Sequence, residues 1–364
     1  MYSNPLEILS NVVNLLLEQS SLPRPIDAGD PDGEPSRESR YPTSPSRHIA
    51  ILGPTASGKS DLAFELALCN PNVELISVDS MCVYRGMDIG TAKPSNATRR
   101  LVRYHMLDVA DPSEEFSVKR FQSEATTVLR EIEARNKVAV LVGGTLLYAR
   151  ALIDNLDIPG RWPEIAQRLE SILKKDGGLV KLYEMLQRLD PLSASRIEPS
   201  NARRVIRALE VVLGSGRPFS SYGPGLLVHP PTSFLVFGLH RTKQDIHQRV
   251  ERRLAAQLEE GFLEEVRTLL DRPRGLSRTA RQAVGYAELF AYLEQRMNWE
   301  EAIGTILKRT KEMVRRQLQW LNRDPRVIWL DTYGSSLSVS GTQTSAQSSV
   351  VLNGILGASN ASNT

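Results

Sequence analysis

Cysteine is nearly absent from this 364-residue chain: Cys69 and Cys82 are the two it has. A disulfide framework is therefore excluded, their spacing does not suit a zinc site, and both read as small apolar side chains. No apolar run approaches the length of a membrane span, which excludes a membrane bundle. An excess of one charge is also missing, since 45 Lys and Arg face 42 Asp and Glu for a net +3. That balance does not by itself announce a nucleic-acid partner, so any such partner must be read from local clusters. Hydrophobic residues at 41% and charged residues at 24% lie near the globular average, which argues against wholesale disorder. The length allows one large domain with an insertion, or two domains.

The two ends differ from the middle. Residues 1–47 hold seven of the 21 prolines among Ser, Asp and Arg, and are expected to form a disordered leader, with at most a short helix over Leu6 to Leu17. No basic segment precedes that stretch and no small-residue cleavage site follows it, so it does not read as a secretory signal. Asp27, Asp30, Asp32, Glu34 and Glu38 argue against an organellar transit peptide. A cytoplasmic protein is expected. Residues 332–364 carry no charged side chain and are rich in Ser, Thr, Gly, Asn and Gln, the composition of a flexible tail.

Between the ends the hydrophobic period switches repeatedly. Strands are expected at His48 to Leu52, Val73 to Val78, Val138 to Val142, Ser233 to Leu239 and Val327 to Leu330. Helical patterns cover Asp61 to Leu68, Phe116 to Arg135, Lys243 to Leu270 and Trp299 to Leu321. Strands separated by helices imply an α/β fold with a parallel sheet flanked by helices. Strand signals vanish across 157–231, where Pro163 to Lys174, Leu179 to Leu189 and Asn201 to Leu213 read as helices. The expected organisation is a core of 48–156 with 232–331, interrupted by an all-helical insertion.

The sharpest motif is GPTASGKS, comprising Gly53, Pro54, Thr55, Ala56, Ser57, Gly58, Lys59 and Ser60. It satisfies the P-loop pattern directly after a strand and before a helix. Its glycines let backbone N–H groups and a helix N-terminus point at phosphate oxygens, Lys59 adds a point charge, and Ser60 offers a hydroxyl to Mg²⁺. Nucleoside-triphosphate enzymes with this loop normally carry a metal-orienting Asp at the end of a neighbouring strand. Here Val138 to Val142 runs into Gly143, Gly144 and Thr145 instead. The missing carboxylate weakens an ATPase reading. A different carboxylate, Asp79, ends the strand Val73 to Val78 at the sheet edge where open α/β folds keep their sites. It suits a general base, a water-mediated Mg²⁺ contact, or a turn cap.

GPTASGKS, ISVDSMCVYRGMDIGTAKPS (Ile76 to Ser95) and LVGGTLLYARAL (Leu141 to Leu152) together resemble the tRNA dimethylallyltransferase family. The likeness continues collinearly through DPLSASRIEPSNARRVIRALEV (Asp190 to Val211), HQRVERR (His247 to Arg253), RQAVGY (Arg281 to Tyr286) and RRQLQWL (Arg315 to Leu321). No Cys/His zinc finger follows, so the bacterial type is the better match. The resemblance implies a P-loop NTPase-like core and transfer of a dimethylallyl group from dimethylallyl diphosphate to N6 of adenine 37 in tRNA. It accounts for the absent strand-end carboxylate, because the loop would hold a diphosphate leaving group.

By that resemblance Asp79 accepts the N6 proton, while Thr145 and Arg253 stabilise the departing diphosphate. Arg249 lies four residues from Arg253 on the same helical face, and both also suit a solvated face paired with Glu251 or Glu259. The resemblance further assigns tRNA contacts to Asp79, Ser80, Met81, Cys82 and Gly144, and to Arg203, Arg204, Val205, Ile206 and Arg207 in the insertion, which would grip the tRNA. It adds Arg281, Gln282 and Gly285, and the helix positions Thr310, Lys311, Arg315, Arg316 and Gln317. The target adenine would be everted from the anticodon stem-loop into a pocket near Asp79. The protein is expected to act as a monomer, with Mg²⁺ as cofactor and no membrane partner. An isopentenyltransferase of free adenine nucleotides shares the same blocks, a P-loop small-molecule kinase would use Asp79 on a hydroxyl, and a non-catalytic RNA-binding protein would release no diphosphate.

Overall fold

The computed structural model describes residues 5–20, 47–223, 225–331 and 337–338. In chain order it contains α1 (Pro5–Ser20), β1 (His48–Leu52), α2 (Lys59–Cys69), β2 (Val73–Ser77), α3 (Asn96–Leu101), β3 (Tyr104–His105), α4 (Val118–Ala134), β4 (Val138–Gly143) and α5 (Leu146–Ile153). A helical stretch follows: α6 (Pro163–Leu173), α7 (Gly178–Leu189), α8 (Pro191–Arg196) and α9 (Ala202–Ser215). The chain then forms β5 (Phe234–His240), α10 (Lys243–Glu259), α11 (Phe262–Leu270), α12 (Arg278–Arg281), α13 (Tyr286–Leu293), α14 (Trp299–Leu321), β6 (Val327–Asp331) and β7 (Leu337–Ser338).

The strands make one sheet in the order β3-β2-β4-β1-β5-β6-β7. All neighbours are parallel except β6 and β7. Strands β1, β2 and β4 are buried along their whole length, as expected of near-continuous apolar runs covered on both faces. Side chains alternate between faces along each strand. Ala50, Leu52, Ile76 and Leu141 join a core with Phe121, Phe262, Tyr286 and Leu321 from the helices. Ile49, Ile51, Leu75 and Val140 face the other way, onto Leu66 of α2 and onto α1.

A leader disordered throughout 1–47 is corrected for residues 5–20, where the short helix allowed over Leu6 to Leu17 is present as α1 and docks against the sheet. Ile8, Leu9, Val12, Val13 and Leu16 recur at helical spacing and are buried in that second core. The prolines that suggested disorder fall after α1, apart from Pro5 at its first position, where a missing N–H costs nothing. Apart from Arg47, the rest of the leader lies outside the described residues, as does the tail except for β7.

The long helical pattern Lys243 to Leu270 is also two helices rather than one. The break falls at Gly261, whose φ of 97° is left-handed and ends α10 before α11 begins. One charged side chain inside the sheet, Glu74, is buried and ringed by Arg135, His105 and Lys137. Burial would raise its pKa, but the hydrogen bonds from these three groups prevail and hold it at about 2.

The chain divides into two compact units, Asn155–Val228 and the remainder on either side of it. The smaller unit is all-helical, with Leu169, Leu182, Leu186, Val205, Ala208 and Leu209 at its centre. Asp190 is buried there and caps α8 through Ser193 while accepting bonds from Ser220.

Since α1 completes a core rather than trailing from it, Leu9→Ala and Leu16→Ala are each expected to lower the unfolding free energy by roughly 2–5 kcal/mol. Urea denaturation followed by far-ultraviolet circular dichroism measures this; unchanged midpoints would mean that α1 does not dock in solution.

Candidate active site

The P-loop leaves β1 at Leu52 and turns into α2 at Lys59 through two left-handed residues, Ala56 (φ 62°) and Gly58 (φ 92°). That alternation aims successive N–H groups into one concavity. Three arginines hold the outward-facing side of the loop. Arg253 Nη1 donates to Thr55 Oγ1 at 3.2 Å, Arg249 Nε to the Ala56 carbonyl at 2.8 Å, and Arg241 Nε to the Ser57 carbonyl at 2.7 Å. Arg249 and Arg253 project from one face of α10, which is why their four-residue spacing matters.

Lys59 Nζ donates to the Pro54 carbonyl at 3.2 Å. Burial, and then the positive charge of Arg253, lower its pKa to about 8. Burial likewise depresses Arg253, opposed by the negative charge of Asp79. Lys59, Arg253 and Asp79 thus share one electrostatic field. Ser60, at the start of α2, is exposed.

Opposite the loop, Asp79 follows β2. Its Oδ1 accepts the Met81 N–H at 2.8 Å and the Cys82 N–H at 3.3 Å, which fixes the carboxylate. Among the described residues no donor reaches Oδ2, which therefore remains available to a substrate. Thr145, after β4, receives the Ser80 N–H on Oγ1 at 3.1 Å, and its own N–H donates to the Val78 carbonyl. The P-loop, Asp79 and Thr145 lie at the carboxyl ends of the adjacent strands β1, β2 and β4, the edge where such sheets bind ligands.

The segment Tyr84 to Lys93 is bolted beside them. Lys93 has no exposed side-chain surface and donates to the Tyr84 carbonyl, Asp88 and Asp108. Glu265 accepts three consecutive backbone N–H groups, from Asp88, Ile89 and Gly90. Thr91 at its end gives its carbonyl to Arg253 Nη2 at 3.3 Å. Cys82 is buried, and burial raises its thiol pKa, followed by the charge of Asp79. It is an inert side chain there.

The residues assigned to tRNA by resemblance divide. Arg203 and Arg204 are exposed on α9, as are Arg315 and Arg316 on α14. Arg207 instead donates to the carbonyls of Pro159 and Gly160 and pairs with Glu210 at 2.8 Å, so it staples its own unit. Val205 is fully buried and its side chain has no route to RNA, because α9 turns positions 205, 208 and 209 into its core. Ile206 and Met81 are half-buried, and Cys82 and Gly285 are buried. Gln282 is exposed, whereas Arg281, also exposed, is paired with Glu294 and lies over Phe290. Lys311 pairs with Glu251 at 2.7 Å, and Thr310 is half-buried. Gln317 points at the P-loop and Gly144. Sequence reading missed Arg241, Glu265 and Gln257 entirely, the last donating its amide to the Ile89 and Gly90 carbonyls; Lys93 was visible as part of GTAKPS, with no sign of its burial.

Residues 82–324 match the family model described as IPP transferase, a span that begins after the P-loop and Asp79. The chain is 41% identical over 290 residues to a tRNA dimethylallyltransferase of Corynebacterium efficiens, covering 79% of this chain and 95% of the relative. It is 42% identical to one of Pseudarthrobacter chlorophenolicus, covering 78% and 93%. A crystal structure of the tRNA isopentenylpyrophosphate transferase of Bacillus halodurans aligns with a TM-score of 0.56 at 37% identity, over 78% of this chain and 89% of that one. A eukaryotic dimethylallyltransferase acting on tRNA aligns at 0.66 with 26% identity, over 86% and 79%.

With Lys59 titrating near 8, an organic diphosphate is expected to bind with net proton uptake around that pH, because the bound anion favours the ammonium form. Affinity should fall as pH rises through that value. Calorimetry in buffers of different ionisation heat measures both, and Lys59→Met should abolish the uptake; a pH-independent signal in the wild type would contradict the assignment.

Proposed function

This chain belongs to the IPP transferase family, and on that premise we propose that it transfers the dimethylallyl group of dimethylallyl diphosphate to N6 of adenine 37, beside the anticodon of tRNA. It is a prenyltransferase that modifies tRNA. The observation that carries the reading is a phosphate cradle facing a carboxylate across a Gly-Gly-Thr turn, with no acidic side chain at the end of β4 where triphosphate cleavage would want one.

The exocyclic amine of adenine is a weak nucleophile because its lone pair is delocalised into the ring. As N6 attacks the allylic carbon, the carbon–oxygen bond to diphosphate breaks and the N6 proton passes to Asp79 Oδ2. Fixing Oδ1 on two backbone N–H groups orients the carboxylate for that transfer. Negative charge developing on the leaving diphosphate meets the loop amides, Lys59, Arg253 and Thr145, groups already in place before the reaction.

Among the described residues no group of three His, Cys, Asp or Glu side chains forms a metal cage. The exposed Ser60 hydroxyl suits Mg²⁺ carried mainly by diphosphate oxygens and water, and there the ion would neutralise leaving-group charge. On this reading the adenine is everted from the anticodon loop, with phosphates tracked by Arg203, Arg204, Arg315 and Arg316. No helix among the described residues is long and apolar enough to cross a membrane. We place the enzyme in the cytoplasm with its tRNA, acting as a monomer.

Asp79→Asn is expected to cut prenyl transfer by roughly 10²–10⁴-fold while tRNA affinity changes little. Single-turnover assays with dimethylallyl diphosphate and tRNA, run beside AMP as acceptor, decide this. Wild-type turnover by the variant would remove Asp79 from the base role, and faster transfer to AMP would change the acceptor. Arg203→Ala with Arg204→Ala should weaken tRNA binding and flatten its salt dependence by up to about two charges. Arg207→Ala should instead lower the melting temperature, since that side chain is committed to carbonyls within its unit. An unchanged salt slope in the double variant would return Arg203 and Arg204 to the solvated surface.

A further inference from the structure

Gln317 spends its side-chain amide inside the protein. Its Oε1 accepts the Thr55 N–H of the P-loop at 2.9 Å, and its Nε2 donates to the Gly144 carbonyl at 2.9 Å. The bridge begins where the sheet stops, since the last pairing between β1 and β4 is Leu52 with Gly143. Beyond Gly144 the contacts continue through Thr145 Oγ1 to the Ser80 N–H, next to Asp79. A hydrogen-bonded chain therefore runs from the leaving-group wall to the proton-accepting wall, and Gln317 is its keystone.

The glycine it grips is an independent sign of the same fit. A Cβ at position 144 would lie 2.5 Å from Gln317 Nε2 and 3.3 Å from the Gly53 carbonyl oxygen. A side chain at position 144 would thus displace the Gln317 amide from its seat, while the backbone angle there makes no demand for glycine.

We propose that Gln317 is a positioning residue for the transfer reaction, setting the separation between the P-loop and the Thr145–Asp79 wall, and not a tRNA contact. This rests on the function proposed above. The amide suits the role because it offers one acceptor and one donor in a rigid plane, matching one N–H and one carbonyl. Its neighbours Arg315 and Arg316 are exposed on the same helix. So α14 presents cations outward while its inward-turned amide braces the site.

The test compares Gln317→Ala with Arg315→Ala/Arg316→Ala. For Gln317→Ala, kcat at saturating substrates is expected to fall about 10- to 100-fold, the scale of small misplacements at a reacting centre. Affinity for inorganic diphosphate, measured without tRNA, should fall several-fold, while tRNA affinity stays within about threefold. The arginine pair should instead weaken tRNA binding and leave the affinity for inorganic diphosphate, measured without tRNA, within about threefold. Gly144→Ala should reproduce the kcat loss, and combining it with Gln317→Ala should cost little more than either alone, since both break one contact.

Gln317→Glu keeps the acceptor for Thr55 but sets a carboxylate against the Gly144 carbonyl, so it should lower kcat without weakening tRNA binding; it serves if the alanine variant does not fold. A tenfold or greater loss of tRNA affinity in either Gln317 variant, or additive losses in the double variant, overturns the proposal. The diphosphate measurement needs no transfer chemistry. Absence of prenyl transfer in the wild type would therefore strike the proposed function, and unchanged diphosphate affinity in Gln317→Ala would strike this inference.

Discussion

The site depends on holding a dense positive field in one place, offset in part by the charge of Asp79. The P-loop concentrates amide dipoles, Lys59 and the nearby Arg253 in a small volume, and the depressed pKa of Lys59 records first its burial there and then the positive charge of Arg253. Such a cradle is uncomfortable when empty and relieved by a polyanion. The three arginine bonds to Thr55, Ala56 and Ser57 make the arrangement sustainable. They satisfy the loop's outward oxygens, so that its conformation does not relax to find other partners. Electrostatic preorganisation of this kind accelerates a reaction because the donors need not reorient as charge develops.

The second requirement is rigidity at the neighbouring wall, and hydrogen-bonded charged side chains supply it. Lys93 sits without exposed surface among a carbonyl and two carboxylates, and Glu265 gathers three successive N–H groups of the same segment. A lysine so buried is costly unless its bonds are complete, and here it has three partners, while the half-buried Glu265 has several of its own. The segment they clamp delivers the Thr91 carbonyl to Arg253. Its placement therefore passes directly into the placement of Arg253, the proposed diphosphate contact. Tyr286 adds its hydroxyl to Glu265 at 2.6 Å, tying α13 into the same support.

Much of the architecture was legible because the relevant signals are local. Strands β1, β2 and β4 announce themselves as short apolar runs, and the P-loop is a contiguous motif at a strand–helix junction. Asp79 and Thr145 could be placed at one sheet edge from strand ends alone. The failures are of a different kind. Helix α1 was allowed over Leu6 to Leu17 but its docking was missed, because whether a short amphipathic helix docks depends on a distant face being free. Arg241, Arg249 and Gln317 meet the P-loop across separations of 184, 193 and 262 residues, and no local pattern encodes such a meeting.

Misassignment of the basic clusters has the same origin, and it shows how charge is divided in this fold. Arg203 and Arg207 share a helix face by spacing, yet the first is exposed and the second is held by two carbonyls and Glu210. In α14, Arg309 is turned onto the buried Glu288 and Lys311 onto Glu251, while Arg315 and Arg316 stay exposed. A cation already bound to carbonyls or carboxylates gains little from an RNA phosphate, because the old contacts must be surrendered first. Only the uncommitted members can contribute fully to counterion release. Net charge therefore understates the field at the anion site and overstates what is left for RNA along the helices. The balance of +3 is the sum of two populations doing different work.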